Sequence, residues 1–586
     1  MDARAHASAL ARFLDAYRAL ADAHVKDFFV EELWTKQVPS SWRAHLDALS
    51  VMDMASLLRG EMPASKTGAW PLSLYAFFAT CHALRLPNQL APRGGAAGSG
   101  QSSTPRRGQR AGGSIDSRGR CADEQLLSSK ILRAAVKPKK MHEIVHAAAL
   151  IDSVGRAGGC ARVVDLGSGL GYLSRCLAFE YAWPVVAVEG EASNVAGASR
   201  IDERIERKAR EQAQATGTSI GSLRHVAAML SPSTTPEEFW QIVLGDDADE
   251  LPAANADAAP GTKANSGSPS VAAEAEGASV LVGLHTCGNL APTTLRVYHH
   301  AGSAVGALVS VGCCYMRLSE AALPSGVQDA SAEASAPPHG SAAEEEAVGF
   351  PMSEHVLTTR IVAGYHLREL ACHSLVAYAE RLRAAAAEAD GGEATLRHHA
   401  RRAALELLLR HCGAQQRARG ERALAGVSGS KGAAARSFEE YAADCFQRVG
   451  LPPIARDEWP ALMALVDEPL RYWRRVVVWY ILRLMFGPLW EALILLDRLL
   501  YLREHGHAAA LVPLFDPSLS PRSYALVSVK STAVDKPTLD DGSVSLQRCW
   551  PCVADNAALA DRWADVVEVA AVTNGRQPRS APVTAT

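Results

Sequence analysis

The chain has 586 residues, 48% of them apolar, and sets 60 Lys and Arg against 63 Asp and Glu. That length and apolar share exclude a wholly disordered chain and allow more than one domain around a large core. The near balance of charge excludes a global basic field for nucleic acid or membrane, although a local basic surface fits inside a neutral total.

Residues 1–90 carry helical periodicity with Phe28, Phe29, Leu33, Trp34 and Trp42, and read as a helical N-terminal domain. Asp2 and Arg4 open an Ala-rich pattern without the apolar centre of a secretory signal. The twelve cysteines are therefore expected in a reducing compartment, cytoplasmic or nuclear. Residues 91–123 form a low-complexity linker holding Arg106, Arg107, Arg110, Arg118 and Arg120. A solvated loop is the plain reading of that basic run, and an RNA-contacting arm is the sharper one.

Residues 124–323 alternate helix with short apolar strands, among them Ser279–Leu284 and Ala307–Val311, around a low-complexity insertion at 246–277. Residues 324–347 make another such loop. Residues 348–510 are helical, interrupted at 413–436. Residues 511–572 hold a closing strand at Tyr524–Lys530 and a C-terminal extension, and 573–586 are a tail. The low-complexity stretches lack the apolar residues that offset chain ordering and are expected to be disordered. Strands alternating with helices predict an α/β fold, a parallel sheet with helices on both faces. The most apolar run, Val476 to Leu502, is broken by Arg483, Gly487-Pro488, Glu491, Asp497 and Arg498. It reads as two buried helices, because no uncharged stretch reaches the roughly 18 residues that a membrane span needs.

The strongest motif lies in the second block. An apolar strand, Arg162-Val163-Val164-Asp165-Leu166, runs into Gly167-Ser168-Gly169-Leu170-Gly171, and a helix begins at Tyr172. Glycines at such a turn let backbone N–H groups approach a ligand without interference from a β-carbon. The next apolar run, Val185-Val186-Ala187-Val188, ends in Glu189, where an acid can accept both hydrogen bonds of a ribose diol. A glycine turn alone also serves nicotinamide and flavin cofactors. Asp165, two positions before the first glycine, discriminates. A pyrophosphate on the helix N-terminus disfavours an acid there, whereas S-adenosylmethionine has no phosphate and carries an amino group and a sulfonium. Asp165, Gly167, Ser168, Gly169, Gly171 and Glu189 are therefore the candidate residues for S-adenosylmethionine.

With these residues the chain resembles a eukaryotic family, the methyltransferase-like protein 25 or ribosomal RNA adenine dimethylase domain-containing proteins. The resemblance rests on several segments. They are Phe28-Phe29, Leu33-Trp34, Pro39 and Trp42; Lys137 to Glu143; Val164 to Gly171; Gly283 to Leu290; Val311 to Tyr315; Gly349 to Ser353; Leu370-Ala371-Cys372; and Phe515-Asp516-Pro517 with Ser520-Pro521-Arg522. It implies a Rossmann-like class I methyltransferase sheet and a methyl donor. It does not fix the acceptor.

Ligands of an open parallel sheet bind at the carboxyl ends of its strands. His285, Thr286 and Cys287 follow one strand, and Cys313, Cys314 and Tyr315 follow the next, so both sets are expected to face the crevice of the glycine turn. His285, Cys287, Cys314 and Tyr315 are the candidate catalytic residues, with His285 or Tyr315 orienting the acceptor or taking its proton. Zinc on His285, Cys287, Cys313 and Cys314 is a second reading. It is disfavoured by the adjacency of two cysteines and the absence of Cys-x-x-Cys here, so no metal is assigned. Packed core thiols are a third. The Asn- or Asp-Pro-Pro-aromatic loop of many exocyclic-amine methylases is replaced by His285-Thr286-Cys287-Gly288. Lys139, Lys140 and His142 form a candidate patch for an anionic substrate, or else a solvated helix face. Cys549-Trp550-Pro551-Cys552 reads as a chance spacing. The resulting expectation is a methyltransferase acting on a macromolecule, RNA before protein, with no membrane partner; the oligomeric state is not legible. The rival is a catalytically inactive methyltransferase-fold scaffold or RNA-binding module.

Overall fold

The computed structural model of the protein describes residues 2–87, 136–231, 234–245, 277–320, 348–390, 392–412, 436–448 and 450–530. The low-complexity stretches within 91–123, 246–276, 324–347 and 413–435, the arginine run, Cys549–Cys552 and the chain past Lys530 lie outside these residues.

In chain order the labelled elements begin with helices α1 (Ala3–Ala16) and α2 (Leu72–Ala83). There follow α3 (Pro138–Ala157), β1 (Arg162–Leu166), α4 (Tyr172–Phe179), β2 (Val185–Glu189) and α5 (Ala192–Thr216). Next come β3 (Leu223–Ala227), α6 (Pro236–Leu244), β4 (Ser279–Thr286), α7 (Leu290–His300) and β5 (Val305–Gly312). A block of helices then ends in α8 (Trp473–Leu484) and α9 (Gly487–Glu504), followed by β6 (Ala509–Pro513) and β7 (Tyr524–Val529).

The seven strands form one sheet in the order β3-β2-β1-β4-β5-β7-β6. Strands β1 to β5 are parallel, and β7 pairs antiparallel with both β5 and β6. Every residue of β5 is buried. This is the continuous apolar run expected of a parallel strand covered on both faces. The expected α/β sheet is thus present, with β6 as an edge strand that the sequence reading lacks. Chain order reverses between β1 and β4, and this opens a crevice at their carboxyl ends.

Two cores flank the sheet. On one face α3 and α4 bury Ile144, Ile151 and Leu177 against Val163, Val280 and Val527. On the other, the N-terminal helices, the helical block and the sheet share a single core containing Leu10, Trp42, Phe77, Trp479, Phe486, Leu493, Leu281 and Leu308. Polar ties cross the same boundary. Arg483 Nε donates to the Ala21 carbonyl at 2.8 Å, and Arg18 donates to the Val362 carbonyl at 2.8 Å. Arg475 grips Asp47 with two bonds of 2.8 and 2.9 Å. Residues 2–87 therefore pack as one body with the described helices after residue 348.

Among the described residues one helical segment, Trp473–Glu504, is long and apolar enough to cross a membrane, and 94% of its most apolar window is buried inside the protein. Three of the charges that interrupt it, Arg483, Glu491 and Asp497, bond internally. Asp497 accepts from Met352 N at 2.8 Å and from the backbone and hydroxyl of Ser353 at 2.9 and 2.7 Å. A buried carboxylate with three donors is satisfied where it lies. These are the two buried helices expected from the sequence.

Candidate functional site

The turn after β1 has its shape because Gly167, Gly169 and Gly171 all take positive φ, at 68°, 57° and 72°. Residues with a β-carbon avoid that region. A Cβ on Gly169 would meet nothing within 4 Å, so the crest of the turn faces open space. A Cβ on Gly171 would lie 2.8 Å from His225 Cε1. Gly171→Ala is accordingly expected to lower stability by about 2 kcal/mol or more, from the left-handed penalty and the clash together. Thermal denaturation checks this, and an unchanged midpoint would refute it.

A polar cluster holds the turn from below. Arg175 of α4 is 1% exposed; its Nε pairs with Asp202 of α5, and its guanidinium also caps the Leu170 carbonyl. His225 of β3 meets the other oxygen of Asp202 at 2.6 Å. This trio is absent from the sequence reading, since nothing local marks Asp202 or His225 as partners of a helix that starts at Tyr172.

Glu189 sits on the rim, where β2 ends. One carboxylate oxygen accepts from Gly169 N at 2.8 Å; the other accepts from Glu191 N at 3.1 Å and Asn194 Nδ2 at 3.3 Å. The Ser168 hydroxyl of the turn is buried without a hydrogen-bond partner. Met229, an exposed thioether, lies over Gly190 on the same rim. Asp165 lies deeper, 2% exposed, and accepts from Ser174 Oγ at 2.6 Å. Burial pushes its carboxyl up to about 6, against the Ser174 bond and the nearby His285, His225 and Lys140 charges. Asp165 thus stands beneath the turn, whereas Glu189 is on its edge.

The second half of the site lies where β4 and β5 end. The pairing of these strands shifts register between Gly283 and Thr286, a bulge of the kind that re-aims side chains beside sites. It requires glycine, because a Cβ on Gly283 would lie 2.3 Å from Thr286 Cγ2. After the bulge, His285 Nε2 stands 3.6 Å from Glu143 Oε2. Glu143 is a buried carboxylate of α3 that also accepts from Ser520 Oγ at 2.7 Å and pairs with Lys139 at 3.5 Å. His285 Nδ1 is 3.8 Å from Cys313 Sγ. Cys314 Sγ is 3.7 Å from Cys313 Sγ and 3.4 Å from Cys287 Sγ. Hydrogen bonds from Cys313 and then Cys314 hold the Cys287 thiol well below its usual range, against burial; Cys313 is driven up in turn.

The structure brings His285, Cys287 and Cys314 together and sets two expected residues apart. Tyr315 is 2% exposed; its hydroxyl donates to Glu491 at 3.2 Å, and the Arg498 and Arg522 guanidinium groups lie 5.6 and 5.4 Å from its ring centre. Burial and Glu491 push its phenol well above the ordinary range. It braces the Cys313-Cys314 turn and presents no hydroxyl to the crevice, which corrects its expected proton-transfer role. His142 is also corrected. It is fully buried, accepts from Asp516 N at 3.0 Å and packs on His146 and Phe515, so it is not part of a cationic patch. Lys139 is exposed beside Glu143, and Lys140 lies over the Tyr172 ring at 4.7 Å, its ammonium lowered mainly by burial. Glu143, Ser520 and Arg522 are functional neighbours that residue-by-residue reasoning missed. The first sits among the lysines that drew attention, and the other two lie within the resembling C-terminal segment.

Residues 139–321 match the model of a methyltransferase domain, a span that runs from Lys139 through the glycine turn and both cysteine turns. The chain is 26% identical over 479 residues to the human probable methyltransferase-like protein 25, covering 67% of this chain and 74% of that protein. It is 31% identical over 259 residues to the mouse probable methyltransferase-like protein 25, covering 43% of this chain and 37% of that protein. No solved structure matches the chain.

Proposed function

The chain belongs to a family of methyltransferases similar to methyltransferase-like protein 25, and from that premise we propose that it uses S-adenosylmethionine to methylate a macromolecule, RNA ahead of protein. The observation that carries this reading is the glycine turn, with its open crest at Gly169, a buried Ser168 hydroxyl lacking a partner and Glu189 on its rim. A buried hydroxyl left unpaired costs free energy unless a ligand or water satisfies it. The residues present fit the donor. Glu189 would take the ribose hydroxyls, Met229 an aromatic base, and Asp165 would supply negative charge from below. The donor, when bound, offers an electrophilic methyl carbon to an acceptor nucleophile attacking in line.

The rest is the work of this chain's own groups. The Arg175–Asp202–His225 trio fixes the turn, and Glu189 latches the Gly169 amide. Lys139 and Lys140 begin α3 beside the crevice, where they favour an anionic acceptor. That placement supports RNA over protein.

A pH dependence follows. Burial pushes the Asp165 carboxyl up to about 6, so its ionised form is favoured above that value and its neutral form below. A cation bound nearby favours the ionised form. Affinity for the donor's permanent sulfonium charge is therefore expected to be level above pH 6 and to weaken as pH falls through it. Asp165→Asn is expected to bind more weakly and to lose that step. Calorimetry across the window tests both, and a wild-type step that persists in the variant would remove Asp165 from the site. Transfer of isotopically labelled methyl to RNA or to protein then decides the acceptor class; a folded wild type that binds no donor would point to the scaffold alternative.

A further inference from the structure

We propose that Cys287, Cys313 and Cys314, with His285 as the fourth ligand, bind one thiophilic divalent cation of the zinc class at the floor of the crevice. The three thiol sulfurs all lie within 4.8 Å of one another. Two of the separations are 3.4 and 3.7 Å. Sulfurs bound to one tetrahedral zinc at about 2.3 Å stand roughly 3.8 Å apart, so the three are already close to the edges of such a tetrahedron.

The adjacency of Cys313 and Cys314, which told against a shared ion in the sequence, is answered by the backbone. The chain turns at Cys314, with φ −80° and ψ 79°, into a short 3-10 turn at Tyr315–Arg317. Neighbouring side chains thereby converge. The brace on Tyr315 from Glu491 holds that turn. Asn289 fastens the Cys287 turn to the Cys313 side, accepting from Ser319 N at 2.9 Å and donating to Ser319 Oγ at 2.8 Å.

His285 supplies the second, independent observation. Its Nδ1 faces the cluster, 3.8 Å from Cys313 Sγ, while its Nε2 faces the Glu143 carboxylate at 3.6 Å. A carboxylate on the far nitrogen of an imidazole is the usual outer partner of a metal-bound histidine; it fixes the tautomer and raises ligand basicity. Glu143 is itself held by Ser520 and Lys139. Three thiolates and a dication carry a net single negative charge, and Arg522 lies within electrostatic reach of Cys313. Binding releases to solvent the protons that the thiols still carry and changes no oxidation state.

A set of three cysteines and one histidine closes the coordination sphere, as in structural zinc sites. The ion would rivet the ends of β4 and β5 beside the glycine turn, making His285, Cys287 and Cys314 positioning residues. The inference does not rest on the methyl-donor reading, because metal binding is measured without the donor.

The test is metal analysis of the full chain purified under reducing conditions without chelator, followed by cobalt substitution. About one equivalent of zinc is expected, and cobalt should give tetrahedral d–d bands with thiolate-to-metal charge transfer. Cys287→Ser and Cys314→Ser are expected to lose the charge-transfer band and most of the metal. His285→Ala should weaken binding at least 10-fold. Cys372→Ser, whose thiol sits 3.8 Å from Met316 Sδ, should retain full occupancy. Should the serine variants not fold, alkylation of the wild type decides instead. Cys287, Cys313 and Cys314 should resist labelling until chelator is added. A folded wild type with neither zinc nor cobalt bands, a Cys287–Cys314 disulfide in place of the ion, or thiols labelled equally with and without chelator would each overturn the proposal.

Discussion

Replacing Glu189 by alanine is expected to weaken S-adenosylmethionine binding about 100-fold or more. A carboxylate that accepts two hydroxyl hydrogen bonds gains about 1.5–3 kcal/mol from each, and about 3 kcal/mol in all corresponds to roughly two decades of affinity. The same side chain also latches the Gly169 amide at 2.8 Å, so its loss loosens the turn as well as removing the ribose acceptor. Glu189→Gln keeps one acceptor oxygen and should fall between the two, about 10-fold down. Titration calorimetry reads both, with circular dichroism confirming the fold. Wild-type affinity in Glu189→Ala would take this residue out of the donor site altogether.

The largest effect on stability is expected at Asp202. Its alanine variant strands the Arg175 guanidinium, 1% exposed, and the buried edge of His225 without their shared acid. Breaking a buried pair by removing one partner typically costs about 3–5 kcal/mol, because the remaining charge stays desolvated. Urea unfolding of Asp202→Ala should show a loss of that size. An apolar pair at both positions, Arg175→Met with Asp202→Leu, should recover the part that comes from Arg175, since its unpaired charge is gone while His225 still lacks its partner. A double variant as unstable as the single one would mean that the cluster contributes through the Leu170 carbonyl it caps, and not through the charge pair.

What could be seen in the sequence was what is local. The run from Arg162 to Glu189 places strand, glycine turn, helix and rim acid within one continuous stretch, and each residue type there answers to a backbone demand. The glycine turn and the acid that ends β2 were therefore reachable by pattern, whereas the bond from that acid to the Gly169 amide was not. Contacts set by tertiary packing were not. Glu143 and Ser520 are 377 residues apart in the chain. In the segment Lys137–Glu143 the lysine charges stood out, yet it is the acid that turns inward, on the buried side of α3. His142 likewise looked like a cation and proved to be a fully buried acceptor, because helical phase, and not composition, decides which face it shares. Tyr315 looked reactive from its place after a strand; its orientation depends on Glu491, on a helix whose role reads from sequence only as apolar. Strand β6 was missed because it is a short half-buried edge ending in Pro513, whose apolar run is alanine-rich and holds a single β-branched residue, Val512.

The placement of β7 between β5 and β6 has a consequence for how the molecule is made. Tyr298, which precedes β5, bonds through its hydroxyl to Ser528 of β7 at 2.9 Å, across 230 residues of chain. At about 5–20 residues per second, a ribosome takes roughly 10–50 s to cover that distance. For that interval the nascent sheet ends at β5, with a bare row of backbone donors and acceptors open to any passing strand. The glycine turn can already be shaped by then, while Ser520, which steadies Glu143, has not yet been synthesised. Messages that end early would thus yield chains with a complete donor loop, an unsealed sheet edge and no support behind His285.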